Sequence, residues 1–112
     1  MELKTVFSNE VSYLQTKYPQ KPQSVIDYSI EDAIAIYKNR RGTPEQTEFK
    51  DYEKNWIRRC ASQLLNAEGY EGFSSYTENG YSWERFEGEL SPALLAEVFP
   101  KVKVFEEWLN DS

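Results

Sequence analysis

Few residues of this 112-residue chain could carry chemistry, since it holds one cysteine, nineteen acids and no histidine. Without histidine, neither a Ser-His-Asp nor a Cys-His arrangement can be built, and metal sites that rely on histidine or several cysteines are excluded. Cys60 falls on the apolar stripe of a predicted helix, where a buried thiol is the default over a reactive one. Gly69-x-x-Gly72 resembles part of a phosphate-binding loop, but it precedes a predicted hairpin and no Lys-Ser/Thr follows. We therefore expect no cofactor and no metal.

Acid pairs are the remaining candidates for acid–base catalysis. Glu84 with Glu87, and Glu106 with Glu107, could in principle transfer protons. In a chain with nineteen acids, a solvated surface is the default interpretation of such pairs. A glycosidase would need two acids facing each other across a cleft, and no cleft is evident in so short a chain. We predict that the protein is not an enzyme.

Composition limits the partners. The net charge of -6 argues against sequence-independent binding to a phosphate backbone, which needs clustered Lys and Arg. A single cysteine cannot form an internal disulfide. The N-terminal sequence lacks the pattern of a signal peptide, and no apolar run approaches the roughly 18 residues of a membrane span. These features predict one soluble domain of cytoplasmic type, with no membrane association.

Apolar periodicity predicts a mainly α fold, a small bundle of about four helices. The second helix has a capping box that starts at Ser29 and a stop at Gly42. The third has an apolar stripe, with Trp56 near its middle, that is wide enough to contact at least two neighbours. Ser91 and Pro92 are typical of the start of the fourth. The predicted ranges are about 2–18, 29–41, 48–67 and 91–99.

The pair Asn79-Gly80, between runs of alternating aromatic and polar residues, predicts a β-hairpin over residues 73–86 that protrudes from the bundle. Phe73 and Phe86 would face each other at its base. Its aromatic face would either pack on the helices or contact a partner. In the second case, we expect the residues at the tip of the hairpin to contact the partner as well. The candidate contact residues are Tyr76, Glu78, Asn79, Gly80, Tyr81 and Trp83.

Two further surfaces are candidates for contacts. Arg58 and Arg59 lie at the edge of the third helix's stripe, where they pair either with acids of the same chain or with an acidic neighbouring subunit. The C-terminal tail, residues 101–112, contains Phe105, Trp108 and Leu109. A tail with these side chains either folds back on the domain or docks on a partner.

The order of short motifs along residues 29–104 resembles that of the small head-to-tail connector (adaptor) proteins of tailed bacteriophages. The resemblance is strongest over residues 58–104, and no single motif is specific. The motifs are Arg58-Arg59 before Leu64-Leu65, the turn Gly69-Tyr-Glu-Gly72, Ser74-Ser75, Thr77-Glu-Asn-Gly80, Ser82, Leu94-Leu95 and Pro100-x-Val102.

This resemblance implies a structural protein of the virion neck that assembles in the host cytoplasm. Connector proteins form a ring of about twelve subunits below the portal, extend the DNA channel and join head to tail. The implied partners are the portal protein, the next neck (stopper or completion) or tail protein, and further copies of the chain. DNA would pass through the lumen without sequence-specific binding. The tail residues would dock on the portal, and the Arg58-Arg59 pair would contact a neighbouring subunit.

The acidic composition leaves a second function open. A small acidic protein unrelated to virions could act as a DNA mimic that inhibits a host nucleic-acid enzyme, because such a role also needs no catalytic groups. A mimic would co-purify with a host enzyme, whereas a connector would co-purify with a portal protein.

Overall fold

The computed structural model describes residues 6–70, 88 and 90–99. Within these ranges the chain is helical and contains no strand, which confirms the predicted mainly α bundle of about four helices. The helices are α1 (Ser8–Lys17), α2 (Gln23–Arg41), α3 (Asp51–Asn66) and α4 (Pro92–Ala96). The predicted hairpin at 73–86 and the C-terminal tail lie outside the described residues.

Helix α3 is the centre of the bundle. It packs most extensively on α2, while α1 contacts both of them and α4 lies against α3. The wide apolar stripe predicted for α3 is therefore buried by three neighbours, as expected for a helix of this kind. The largest fully buried side chains are Phe7, Leu14, Ile26, Ile30, Ile36, Ile57, Leu64 and Leu65.

Helix α2 begins at Gln23, so the predicted start at Ser29 is wrong. The carbonyl of Pro22 accepts an early helical hydrogen bond, from Ile26 N–H at 3.2 Å. Ile26 precedes Ile30 by one helical turn, and both are buried, so the apolar stripe continues toward the N-terminus. Ser29 is buried inside the helix, where its hydroxyl donates to the carbonyl of Ile26 at 2.6 Å. Serine is a common N-cap residue, but its hydroxyl can also bond back to its own helix, as it does here, and the residue type did not distinguish the two.

The predicted end of α2 is confirmed. Gly42 has a φ of 74°, in the left-handed region that glycine adopts at low cost. Its N–H and that of Thr43 both donate to the carbonyl of Lys38, at 2.9 and 3.0 Å. These bonds satisfy a carbonyl that would otherwise have no helical partner.

The other helices differ from the prediction at their ends. Helix α3 begins at Asp51 and ends at Asn66, inside the predicted range 48–67. Helix α4 is a short helix, with Pro92 in its first turn and the Ser91 hydroxyl accepting from Leu94 N–H at 3.2 Å, as the Ser-Pro signal predicts. Among the described residues, no helix is both long and apolar enough to cross a bilayer.

Candidate functional site

An open groove of about 380 Å³ lies between α1, α3 and the segment around α4. Each wall comes from a different part of the sequence, so the fold brings these side chains together. The groove contains both arginines that the sequence singled out. Its lining residues are Tyr13, Lys17, Arg58, Arg59, Ser62, Gln63, Asn66, Ser91, Ala93, Leu94 and Glu97.

Two cations of the groove are held by neutral groups. Lys17 Nζ donates to the hydroxyl of Ser62 at 3.2 Å. The guanidinium carbon of Arg58 lies 4.5 Å from the centre of the Tyr13 ring, within the range of a cation–π contact. In the part of the chain that the structure describes, neither cation has a carboxylate within ion-pair distance. Both therefore keep hydrogen-bond donors for an anionic partner.

Arg59 forms an ion pair with a carboxylate of the same chain. Its two terminal nitrogens donate to the two oxygens of Glu97, at 2.6 and 2.7 Å, while its Nε donates to Asn55 Oδ1 at 2.8 Å. The hydrogen bonds between Arg59 and Glu97 lower the pKa of Glu97 and raise the pKa of Arg59, in both cases against the opposing effect of burial. Of the two alternatives weighed for Arg59, pairing within the chain is present here. Contact with a neighbouring subunit stays a prediction.

Side chains of α2 and α3 hold α4 in place. Trp56 is buried, and its Nε1 donates to the carbonyl of Leu94 at 2.7 Å. Arg40 Nη2 donates to the next carbonyl, that of Leu95, at 3.0 Å. The same carbonyls also accept the backbone N–H groups of Glu97 and Val98, both at 3.2 Å, so each side-chain bond adds a further donor that links α4 to the core. The groove wall formed by α4 is therefore fixed to the core.

Gln63 fixes the start of the same wall. Its side-chain oxygen accepts from Ser91 N–H at 2.8 Å, and its side-chain nitrogen donates to Ser91 Oγ at 3.3 Å. Pairs of this kind join residues far apart in sequence, and no local pattern indicates them. The reading of the sequence missed Gln63 for that reason.

The segment that contains the predicted hairpin starts and ends in the core. Tyr70 is buried, and its hydroxyl donates to the carboxylate of Asp32 on α2. At the other end, Leu90 is also buried, directly before Ser91. Tyr70 therefore links the chain to α2. The candidate contact residues of the hairpin, and Phe105, Trp108 and Leu109, lie outside the described residues.

A buried polar cluster surrounds Glu53 at the start of α3, on the side facing α2. Glu53 is 5% exposed and accepts three hydrogen bonds. They come from Tyr37 Oη (2.5 Å), Gln46 Nε2 (2.9 Å) and Lys50 N–H (2.8 Å). Burial alone would raise the pKa of Glu53, but these bonds and the nearby positive charge of Arg41 outweigh it, so the pKa lies below its ordinary value.

The Glu53 cluster is built for stability. Burial, followed by the bond to Glu53, raises the pKa of Tyr37 far above its ordinary value, so its hydroxyl remains a donor. A carboxylate with a lowered pKa and three donors is a weak base. Among the described residues, no group of three potential metal-binding side chains is present. The bond between Tyr37 and Glu53 joins residues of two different helices, and no local pattern of the sequence indicates it.

Comparison with protein-family models, with curated proteins and with solved structures gave no match to this chain. The likeness to the connector family is therefore carried by the motif order of residues 29–104.

Proposed function

We propose that this protein is a structural component of a bacteriophage neck. In this proposal it forms a ring of about twelve copies below the portal, extends the DNA channel and joins head to tail without catalysing a reaction. It contacts the portal protein on one side and the next neck or tail protein on the other. The observation that carries the proposal is the order of connector-like motifs over residues 58–104.

The core supports the part of this proposal that concerns the hairpin. An arm that reaches a neighbouring subunit must leave a rigid base, because contacts held in a fixed geometry lose less entropy on binding. Tyr70 and Leu90, which flank the segment, are both buried, and Ser91 is bonded to Gln63 on α3. We propose that residues 73–86 form a hairpin whose aromatic face, with Trp83 at its centre, contacts the next copy in the ring.

The charge of the chain suits a DNA channel. Each copy contributes a net charge of -6, so a ring of such copies is strongly acidic. If acids face the lumen, they repel phosphates and let DNA slide past the wall. A predominantly basic lumen in the assembled ring would contradict this part of the proposal.

The decisive experiment is assembly of virions without the protein. We expect DNA-filled heads that leak or lack tails in electron micrographs, because the link between portal and tail is missing. Complete, tailed and infectious particles would refute the virion role. Affinity purification from infected cells provides the second readout: recovery of a portal protein supports the proposal, whereas recovery of a host nucleic-acid enzyme without portal supports the DNA mimic.

The arm is tested separately by Trp83→Ala. We expect loss of binding to portal–neck assemblies with an unchanged melting temperature, because the side chain is proposed to contact a neighbour rather than the core. Tyr52→Ala is a matched control, since Tyr52 is an exposed aromatic residue on α3. A collapsed melting temperature for Trp83→Ala with intact assembly would place the side chain in the core instead.

The turn of the arm is tested by Gly80→Val. A β-branched residue resists the positive φ that a type I′ turn needs at this position. We expect the variant to lose strand signals of residues 73–86 in NMR spectra while signals of α1 to α3 persist. Unchanged strand signals would show that the turn lies elsewhere.

A further inference from the structure

The charge of the groove is opposite to that of the chain. The groove is lined by three cations, Lys17, Arg58 and Arg59, and by one carboxylate, that of Glu97, so its net charge is about +2. The whole chain carries -6. Because Arg59 and Glu97 neutralise each other, the positive charge of the groove resides on Lys17 and Arg58.

These two cations are oriented before any partner arrives. The ring of Tyr13 lies under the Arg58 guanidinium, which leaves N–H donors at the edge of that group for a carboxylate. Lys17 Nζ is positioned by its bond to Ser62. Tyr13 itself is 43% exposed and offers an aromatic surface beside the charges. An acidic peptide with an aromatic side chain matches both features.

The chain contains such a peptide in its own C-terminal tail. Residues 105–112 read Phe-Glu-Glu-Trp-Leu-Asn-Asp-Ser, with three carboxylates and no cation. Glu106 and Glu107 match the two cations, and Trp108 matches the exposed ring of Tyr13. A second groove, at residues 41–53, also holds two cations, Arg41 and Lys50, but two carboxylates, Glu48 and Glu53, line it as well and leave it no net positive charge.

The described part of the chain ends two residues after a residue of the groove. Glu97 lines the groove, and the described chain continues only to Phe99. The seven Cα–Cα steps from Phe99 to Glu106 can span up to about 25 Å when the chain is extended. A tether this short gives an effective concentration on the order of millimolar, which favours binding within one chain over binding between chains.

We propose that residues 105–112 bind in the groove of their own chain, with the carboxylates of Glu106 and Glu107 on Lys17 and Arg58 and the Trp108 ring against Tyr13. This contact does not depend on the virion role. The same tail residues must leave the groove when they dock on another protein.

Zero-length carbodiimide cross-linking of the full chain tests this contact. The reagent joins a carboxylate to a lysine amine in direct contact, so we expect a Lys17–Glu106 or Lys17–Glu107 amide in the mass spectrum of the digest. Lys38 on α2 is the matched control, because it lies outside the groove. Equal yields at Lys17 and Lys38, or no link at Lys17, would overturn the proposal.

A mixture of unlabelled and ¹⁵N-labelled chains shows whether the contact lies within one chain. If the tail binds in the groove of its own chain, the two peptides of each cross-linked pair are either both unlabelled or both labelled. Mixed pairs mean that the tail occupies the groove of a second copy, and they overturn the proposal.

Charge reversal at Arg58 provides a second test of the contact. With Arg58→Glu, we expect the Lys17–tail yield to fall roughly two- to fivefold, the range of an exposed ion pair. Arg58→Lys keeps the charge and should retain most of the yield. Circular dichroism of both variants checks that the helices persist, and an unchanged yield in a folded Arg58→Glu protein would refute the contact.

Discussion

Two carboxylates of the protein, those of Glu53 and Glu97, have pKa values below the ordinary value of glutamate. Their surroundings differ in almost every other respect. Glu53 is nearly inaccessible and accepts from a tyrosine, an amide and a backbone N–H. The Glu97 side chain is 46% exposed and faces a single arginine. One direction of pKa shift therefore arises in two different ways.

At Glu53, burial works against the charged form and is overcome by fixed donors. That balance exists only in the folded protein, so the charge of Glu53 is coupled to the fold. At Glu97, the hydrogen bonds from Arg59 are the largest influence on the pKa, and they outweigh the opposing effect of burial. Exposed ion pairs contribute little to folding and are screened by salt. The comparison predicts large, salt-insensitive effects at the Glu53 cluster and small, salt-sensitive ones at Glu97.

Trp56→Ala should give the largest effect, because Trp56 joins the two regions. Its ring centre lies 5.4 Å from that of Tyr37, and its Nε1 holds the carbonyl of Leu94 near Glu97. We expect a loss of about 3–5 kcal/mol in the free energy of unfolding, measured by urea denaturation. Tyr52→Ala is the control, since Tyr52 is 61% exposed. A loss no larger than that of the control would contradict the role of Trp56 as the shared support.

Tyr37→Phe removes one donor from Glu53 and leaves a buried carboxylate with fewer partners. We expect a cost of about 1.5–3 kcal/mol, typical of a hydrogen bond to a charged group, with little dependence on salt. Tyr28→Phe is the matched control on α2, because Tyr28 is exposed. Equal stabilities of the two variants in urea would show that the bond between Tyr37 and Glu53 contributes nothing measurable.

The pH dependence of stability separates the two carboxylates. A folded pKa below the unfolded value of about 4.3 means that stability is complete above that pH and is lost as pH falls through the folded pKa. Both glutamates therefore contribute to acid unfolding, while Tyr37, whose pKa is raised, loses its contribution as pH rises above about 10. We expect the melting temperature of Glu53→Gln to fall less steeply as the pH is lowered than that of the unmodified protein. This difference should be present both at low salt and at about 0.5 M salt.

Glu97→Gln is the matched comparison for that experiment. Its effect on the acid transition should be present at low salt and disappear at high salt, because the pair with Arg59 is exposed. Equal salt dependence of the two variants would show that the two environments do not differ as the geometry indicates.

The sequence predicted features that depend on local chemistry. Gly42 ends α2 because only glycine adopts its φ at low cost, and a composition rule captures this. Trp56 is buried because the apolar spacing of α3 places it on the stripe. The start of α2 was missed because Ser29 has the composition of a cap, while the stripe through Ile26 continues past it.

Contacts between distant residues were not predictable in the same way. The bond from Tyr37 to Glu53 joins two helices, and tyrosine at an apolar position gives no sign of a buried acceptor. The groove combines Lys17 with Arg58, and only the packing of α1 on α3 brings them together. Arg59 was predicted to pair with acids either of its own chain or of a neighbouring subunit. Its partner within the chain, Glu97, follows from the position of α4, which no local pattern specifies.

Arg59→Ala should have the smallest effect and is the sharpest test of the exposed side of the comparison. It removes both bonds to Glu97 and the bond to Asn55, yet we expect a loss of only about 0.2–1 kcal/mol, because solvent screens the pair. Urea denaturation at low and high salt measures it, and the difference from the unmodified protein should shrink as salt rises. Arg59→Lys, which keeps the charge but not the two-pronged geometry, should recover part of the loss. A loss above about 2 kcal/mol that persists in high salt would mean that Arg59 supports α4 by packing, and the contrast with Glu53 would then fail.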